Sequence, residues 1–198
     1  MKDQSASEYA ILIYITEKRL YLFKDHICIK NYPIASGKAG WPSPIGQWKI
    51  VQKGDWGEGF GGYWMGLNVT WGNYGIHGTV QEYSIGRAAS HGCIRMLNWD
   101  VKELYKIVPV GTPVLINGGP YGPFGTGFRA LNPGDRGADV LEVQKRLKWL
   151  GYYQGRLSGI YEDDLKVALS KFQKDEQITV KHTITKKDYH AMGLFEFE

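Results

Sequence analysis

Residues 74–96 read YGIHGTVQEYSIGRAASHGCIRM, and this stretch decides the fold and the chemistry that we assign to the 198-residue chain. His77 is followed sixteen positions later by Cys93, and His91 and Arg95 each lie two residues from that cysteine. The residues around the cysteine are polar or very small and build no hydrophobic core, so a packing role does not explain its position. We therefore interpret the stretch as a reactive site.

The pairing of a cysteine with a histidine points to nucleophilic catalysis. A cysteine attacks a carbonyl group as its thiolate, and an unperturbed thiol pKa of about 8.5 leaves only a minority ionised at neutral pH. A nearby imidazole solves this problem by accepting the proton and holding the resulting ion pair. We predict that Cys93 is the nucleophile and that His77, on an adjacent strand, is the general base. His91 lies too close to the cysteine along the chain for that bond, so we predict that it orients or polarises the substrate.

The other residues of the stretch are predicted to support the reacting groups. Gly92 has no side chain to obstruct an incoming carbonyl, and it could form an oxyanion hole together with the backbone N–H groups around Cys93. Arg95 offers a permanent planar cation, which could hold either the active loop or a substrate carboxylate. Ser90 is a small polar member of the same predicted site.

The cysteines leave alternatives open. A zinc site made of His77, His91 and Cys93 is one of them, although it lacks a fourth ligand and paired spacing. Cys28 lies between two isoleucines, so we predict that it is buried in a strand as a packing residue. A disulfide between Cys28 and Cys93 would consume the thiol to which we assign the chemistry.

Residues 10 to about 116 are rich in short apolar runs separated by turn-like pairs, which predicts a sheet-based domain of largely antiparallel strands. The predicted strands are residues 10–15, 20–23, 27–29, 47–51 and 112–116. One helix is predicted directly after the reactive stretch, because apolar residues recur there with helical spacing behind Asn98 or Asp100 as its cap. These apolar residues are Val101, Leu104, Tyr105 and Val108.

Two segments rich in glycine divide the chain further. Residues 54–75 also contain many aromatic residues, which is typical of a mobile loop whose rings wall a substrate groove, although core packing accounts for about half of such rings. Residues 117–127 combine glycine with proline and suit neither a helix nor a central strand, which predicts an interdomain linker. The predicted divisions are a catalytic domain at 8–118, a linker at 119–128 and a second domain at 129–198.

Beyond the linker the apolar residues recur with the spacing of an α-helix. This pattern predicts a compact, all-α module of three short helices. The first two helices are marked by Val140, Val143, Leu147 and Leu150, and by Leu165, Ala168, Leu169 and Phe172. The third is predicted to begin at Thr185, where Asp188 three residues later completes a capping box.

The segments HGT at 77–79 and SHGCIR at 90–95 together resemble the signature of the L,D-transpeptidase catalytic domain, also called the YkuD domain. The likeness extends over about residues 10–116 and implies a mainly β, sandwich-like fold with one helix. Further matching segments are residues 19–23, 36–38 and 43–46, with Ser43 where the family usually has threonine.

The resemblance also implies roles for single residues. In this family the cysteine is the nucleophile and the earlier histidine is the base, which matches the roles predicted for Cys93 and His77. A backbone carbonyl just after the base, here that of Gly78, orients the imidazole in place of an aspartate. The expected substrate-binding residues are Ser43, Trp64, Tyr74 and Thr79.

The family's reaction is acyl transfer on the stem peptides of peptidoglycan. The cysteine attacks the carbonyl that joins the third residue to D-Ala, releases D-Ala and passes the acyl group to an amine, which gives a 3→3 cross-link. Water as the acceptor gives L,D-carboxypeptidase activity instead. The resemblance implies no metal or organic cofactor, and it implies that carbapenems acylate the cysteine.

The C-terminal segment resembles a type 1 peptidoglycan-binding domain. The matching positions include Leu131, Gly134, Gly137, Asp139, Val140, Gln144, Leu147, Gly151, Gly159, Ala168, Phe172 and Gln173. The match becomes thinner beyond Gln173. The resemblance implies that peptidoglycan is the partner and that the protein is extracytoplasmic and associated with the cell wall, although no signal peptide is recognised in the sequence.

Composition narrows the remaining classes of function. The net charge of +4 comes from basic residues spread along the chain, which is weak evidence for nucleic acid and suits an anionic polymer. No stretch approaches the roughly 18–20 consecutive apolar residues of a membrane span. Two alternatives to a transpeptidase stay open: a carboxypeptidase or cysteine peptidase on the same substrate, and a wall-binding protein without catalysis.

Overall fold

The computed structural model describes residues 8–196. These residues form two compact units, and the boundary lies between Asn117 and Gly118. The first unit is mainly β with one α-helix and the second contains three α-helices, so the predicted fold class is confirmed. Residues 197 and 198 of the predicted second domain lie outside the described residues.

The first unit contains ten strands and one helix within its described residues. The strands are β1 (Tyr9–Tyr14), β2 (Arg19–Lys24), β3 (Ile27–Pro33), β4 (Ser36–Gly37), β5 (Gly46–Gly54), β6 (Trp64–Leu67), β7 (Gly75–Gly78), β8 (Ala88–Ser90), β9 (Ile94–Met96) and β10 (Pro113–Asn117), and helix α1 is Asn98–Ile107.

Eight of the strands form one sheet in the order β3-β2-β1-β10-β5-β6-β7-β9, and β4 pairs with β8 separately. The long strand β5 joins the two halves of the sheet, because it pairs with β10 and with β6. Its register with β6 shifts between Ile50 and Gln52, a bulge that bends a strand. The sheet ends with β7 and β9, which run parallel to each other.

Buried side chains at alternate positions of the strands form the core of this sheet. Ile11 and Ile13 on β1, with Leu20 and Leu22 on β2, are buried, while the residues between them are at least partly exposed. This period of two is the pattern that predicted antiparallel strands here, and the pairing of β1 with β2 confirms it.

Three local predictions were wrong. Cys28 is exposed, because β3 lies at the edge of the sheet and residues 27–31 are exposed on both faces. Residues 54–75 are not a loop throughout, since they contain β6, and Trp64 is only 3% exposed. Helix α1 is preceded by Leu97 as its N-cap, so neither Asn98 nor Asp100 caps it.

The second unit contains α2 (Ala138–Trp149), α3 (Asp163–Asp175) and α4 (Lys186–Ala191). The predicted apolar stripes meet in one core that includes Val140, Leu147, Leu165, Leu169 and Phe172. The predicted capping box is confirmed, because the N–H of Thr185 donates to Asp188 Oδ2 at 2.8 Å. No helix within residues 8–196 combines the length and apolar character needed to cross a bilayer.

The close approach of β6 to β7 generates a stability prediction. A Cβ atom at Gly75 would lie 2.6 Å from the Trp64 ring and 2.7 Å from the Met65 carbonyl oxygen, so Gly75→Ala is expected to destabilise the protein by about 1–3 kcal/mol. Gly59 has open space around it, and Gly59→Ala is the matched control with an expected change within about 0.5 kcal/mol. Urea unfolding followed by tryptophan fluorescence measures both, since six of the seven tryptophans lie before residue 118. Equal stability of the two variants would contradict this packing.

Candidate active site

The parallel pair β7 and β9 brings His77 and Cys93 to one face of the sheet. His77 is in register with Arg95, and Cys93 immediately precedes β9. Alternate residues of a strand share a face and neighbouring strands lie about 4.8 Å apart. Extended by one residue, this register sets Cys93 opposite Gly75, on the same face as His77 and diagonal to it. The space next to the Gly75 Cα is filled by the Trp64 ring and the Met65 carbonyl.

Both side chains line one cavity of about 290 Å³. Such a volume suits a small part of a substrate, since pockets for whole small molecules begin at about 300 Å³. The predicted site residues that line the cavity are His77, Thr79, Ser90, His91, Cys93 and Arg95.

The orientation of the His77 ring is defined by one hydrogen bond. Its Nδ1 lies 2.6 Å from the carbonyl oxygen of Gly78. A carbonyl oxygen only accepts, so Nδ1 must carry the proton and donate it. In the neutral ring Nε2 is then the nitrogen that accepts a proton. This is the carbonyl that the family resemblance implies as the partner of the imidazole.

Aromatic packing keeps His77 away from water. The ring lies 4.8 Å from that of Phe60 and 5.7 Å from that of Trp64, centroid to centroid, and the residue is only 5% exposed. Burial lowers the pKa of His77 to about 4, the Gly78 hydrogen bond opposes this shift, and the charge of Arg95 adds to it. The imidazole is therefore neutral at neutral pH.

The thiol of Cys93 is also kept neutral. Burial raises its pKa, and this outweighs the lowering effects of the Gly75 backbone and of the Arg95 charge. The Sγ atom lies 4.0 Å from the carbonyl oxygen of Asn73, within reach of a weak S–H···O contact. The free site thus pairs a protonated thiol with a neutral imidazole, an arrangement suited to general-base catalysis and not to a resting ion pair.

Ser90 closes the turn that presents the cysteine. Its hydroxyl donates to the Cys93 carbonyl oxygen at 2.6 Å and accepts the N–H of Gly92 at 3.0 Å. The Gly92 amide is therefore engaged and does not point a free donor at a substrate. Gly92 instead matters through its backbone, because its φ is +112° and a Cβ atom there would lie 2.5 Å from the Tyr74 ring.

Arg95 and His91 flank the cavity in different ways. The guanidinium of Arg95 donates from Nη1 to Gln81 Oε1 at 2.9 Å, and its charge lowers the pKa of both His77 and Cys93. His91 is exposed and packs edge-on against the Trp41 ring at 5.1 Å, centroid to centroid. Its position at the rim agrees with a role in substrate contact.

Three predicted substrate-binding residues do not line the cavity. Ser43 is buried, and its hydroxyl accepts the N–H of Gly37 at 2.9 Å, which holds the 37–43 loop closed. Trp64 is buried and its ring stacks on that of His77, so it is not exposed to a substrate. Tyr74 packs beside Gly92.

Phe60 lines the cavity, as predicted for rings of residues 54–75 that wall a substrate groove. Two other residues at the site were not predicted there: Gln81 lines the cavity, and Asn98 accepts the N–H of Thr79 at 2.8 Å. Asn98 was noticed only as a helix cap, because its partner lies nineteen positions earlier and no local pattern links the two. The proposed zinc alternative has no cluster to support it within residues 8–196, where no group of three His, Cys, Asp or Glu side chains could hold a metal ion.

Two family models match the chain. The model described as the L,D-transpeptidase catalytic domain, YkuD, matches residues 8–116, and a peptidoglycan binding domain model matches residues 136–180. Among curated proteins, the Bacillus subtilis protein that bears the name L,D-transpeptidase YkuD is 44% identical over 118 residues, which is 59% of this chain and 71% of that protein. The Escherichia coli protein named L,D-transpeptidase ErfK/SrfK is 30% identical over 186 residues, which cover 80% of this chain and 55% of that protein.

Solved structures have the same fold as the first unit. The Ldtfm-avibactam carbamoyl enzyme is 28% identical with a TM-score of 0.51, and the alignment covers 58% of this chain and 51% of that one. L,D-transpeptidase 3 from Mycobacterium tuberculosis, in complex with a faropenem-derived adduct, is 16% identical with a TM-score of 0.50. That alignment covers 56% of this chain and 60% of the other. The chain therefore spans about half to three fifths of these two proteins, and the second likeness concerns the fold alone.

The buried imidazole is expected to make the protein less stable in acid. Because the pKa of His77 is about 4 in the folded chain against an ordinary 6.5, the unfolded chain binds an extra proton between these values. This group alone is expected to lower the free energy of unfolding by about 2–3 kcal/mol between pH 7.5 and pH 4.5. Urea denaturation at both pH values measures the loss in the wild type and in His77→Gln, where it should be smaller by that amount. An equal loss in both proteins would speak against a buried neutral ring.

Proposed function

Because the chain belongs to the family of L,D-transpeptidase catalytic domains, we propose that it is a cysteine acyltransferase acting on the stem peptides of peptidoglycan. One observation carries the assignment of residues: His77 and Cys93 line the same cavity, with His77 oriented by the Gly78 carbonyl so that Nε2 accepts a proton. Cys93 is the proposed nucleophile and His77 the proposed base.

In the first half-reaction His77 Nε2 takes the thiol proton as the Cys93 sulfur attacks the carbonyl between the third stem residue and D-Ala. The new S–C bond gives a tetrahedral oxyanion. As this collapses, the C–N bond breaks, and the imidazolium returns its proton to the amine of the departing D-Ala. A thioester and a neutral imidazole remain.

In the second half-reaction an acceptor amine attacks the thioester and gives its proton to His77. Collapse of the tetrahedral intermediate releases the Cys93 sulfur, which recovers the proton from the imidazolium. The product is an amide between two third residues, a 3→3 cross-link. Water in place of the amine gives a tripeptide and makes the enzyme an L,D-carboxypeptidase, which is the second candidate activity.

Backbone amides and the Arg95 guanidinium are proposed to stabilise the negative charges of the oxyanion and of the substrate carboxylate. Since the Gly92 amide is bound to Ser90, the oxyanion is assigned to the Cys93 N–H and other amides of the cavity, with Gly92 keeping the approach open. Stem peptides end in carboxylates, and Arg95 is the cation at the cavity that suits one. His91 and Thr79 are assigned contacts with the same peptide.

The second unit is proposed to hold the enzyme on its polymer substrate. The peptidoglycan binding domain match at 136–180 supports this role and a location outside the cytoplasmic membrane at the cell wall. The proposed divisions remain a catalytic domain at 8–118, a linker at 119–128 and a binding domain at 129–198. Covalent inhibition of Cys93 by carbapenems is also proposed, supported by the carbamoyl enzyme that a 28% identical relative forms with avibactam.

Mass spectrometry of products from a purified tetrapeptide muropeptide tests the assignment. Cys93→Ala is expected to abolish turnover, and His77→Ala to lower the rate about 100- to 10,000-fold, because each removes one half of the proton transfer. Cys28→Ala is the matched control and keeps wild-type activity, since that thiol is exposed on an edge strand. A cross-linked dimer lacking one Ala indicates transfer and a tripeptide indicates hydrolysis. Turnover by Cys93→Ala would end the proposal, and sacculus binding without any product would favour a non-catalytic wall protein.

The pH dependence of acylation tests the neutral pairing. His77 must be unprotonated to accept the thiol proton, and its pKa is about 4, so the rate constant for carbapenem acylation is expected to stay high below pH 6 and fall near pH 4. Intact-mass spectrometry at a series of pH values measures this constant. A fall centred near pH 6.5 would mean that the free site does not hold His77 as a buried neutral ring.

A further inference from the structure

His77 is connected to Asn98 through a single peptide group. Nδ1 of His77 donates to the carbonyl oxygen of Gly78 at 2.6 Å, and the N–H of Thr79 donates to Asn98 Oδ1 at 2.8 Å. The carbonyl of residue 78 and the N–H of residue 79 belong to the same planar peptide. The two hydrogen bonds therefore lie at opposite ends of one rigid unit, with the imidazole at one end and the carboxamide at the other.

The Asn98 side chain is fixed by close packing as well. A Cβ atom at Gly61 would lie 2.2 Å from Asn98 Oδ1, and one at Gly78 would lie 2.5 Å from it. The carboxamide oxygen thus fills a slot that exists because both neighbours are glycines. A backbone N–H only donates, so the atom facing Thr79 is the oxygen and the orientation of the amide is defined.

We propose that Asn98 is a positioning residue for the base, acting on His77 through the Gly78–Thr79 peptide. It fixes the plane of that peptide, so that the Gly78 carbonyl points at Nδ1. It also polarises the peptide, because the hydrogen bond that the Thr79 N–H donates to Asn98 makes the Gly78 carbonyl a stronger acceptor. The imidazolium that forms during catalysis is stabilised by this stronger acceptor. The proposal rests on the proposed role of His77 as the base.

The other groups that face His77 do not supply this function. The charge that acts on its pKa is that of Arg95, which disfavours the imidazolium. Cys93 shares the cavity, and Phe60 and Trp64 pack against the ring with apolar faces. Helix α1, which packs against β7, contributes Asn98. The peptide together with Asn98 thus holds the position that an aspartate takes in a serine protease triad.

Three variants of the 198-residue chain test the proposal. Asn98→Leu keeps a similar size and removes the acceptor, whereas Asn98→Asp keeps the acceptor and adds a charge. Asn68→Leu is the matched control, because Asn68 Oδ1 also accepts a backbone N–H, that of Lys49 at 2.7 Å, but has no connection to the site. Circular dichroism and thermal unfolding establish that each variant is folded.

The rate constant for carbapenem acylation, measured from pH 4 to pH 8, is the kinetic readout. Asn98→Leu is expected to lower it by on the order of tenfold to a hundredfold, the effect typical of an outer partner that orients a histidine. Asn98→Asp is expected to keep most of the wild-type rate. It is also expected to raise the pH at which this rate falls in acid (the acid limb of the pH profile) by about one unit, since a carboxylate near the peptide favours the imidazolium. Asn68→Leu is expected to match the wild type.

The ¹⁵N shifts of the His77 ring give a readout that a merely structural role would not move, and they do not depend on catalysis. The wild type is expected to hold the Nδ1–H tautomer, and Asn98→Leu to populate both tautomers. Wild-type rate and tautomer in a folded Asn98→Leu protein would overturn the proposal, as would an unmoved acid limb in Asn98→Asp. If Asn98→Leu does not fold, the acid limb of Asn98→Asp decides alone. A wild type that is never acylated at Cys93 would refute the proposed function, while the ring shifts still test Asn98.

Discussion

The site depends on the parallel register of β7 and β9. With His77 beside Arg95, the turn before β9 carries Cys93 onto the same face as the imidazole. A slip of one residue would turn Cys93 to the opposite face, because side chains alternate along a strand. The same short strand leads within two residues into α1, whose first residue, Asn98, contacts the peptide that orients the His77 ring. Strand register and helix start are thus parts of a single constraint.

Burial gives this site its chemical character. It favours the uncharged form of both the Cys93 thiol and the His77 ring. In the proposed reaction, proton transfer between them is therefore coupled to the developing oxyanion. A protonated thiol is also a poor target for oxidants, since the thiolate is the reactive form. An enzyme that works at the cell wall, as proposed, would keep its nucleophile reduced between turnovers in this way. Arg95 moderates the effect, because its charge lowers the thiol pKa.

Much of the fold could be predicted from the sequence because the patterns that specify it are local. The period of two in β1 and β2 and the box formed by Thr185 and Asp188 depend on neighbours a few residues away. The exposure of individual residues was harder to predict. An apolar run such as that around Cys28 does not indicate whether its strand lies at the centre or at the edge of the sheet. The type and spacing of His77 and Cys93 were enough to predict that they form one site, and the two residues line one cavity. The hydrogen bond that engages the Gly92 amide depends on side-chain geometry that no spacing encodes.

The slot between Gly61 and Gly78 has a consequence for how this sequence can change over time. A methyl group at either glycine would collide with the carboxamide of Asn98, and a shorter side chain at 98 would leave a void beside the Gly78–Thr79 peptide. The two glycines also restrict each other, because a Cβ atom at Gly61 would lie 2.9 Å from Gly78 Cα and the φ of Gly61 is +63°. Both positions are therefore expected to stay glycine even in lineages that replace the asparagine, and an alignment of descendants would display them as two invariant columns.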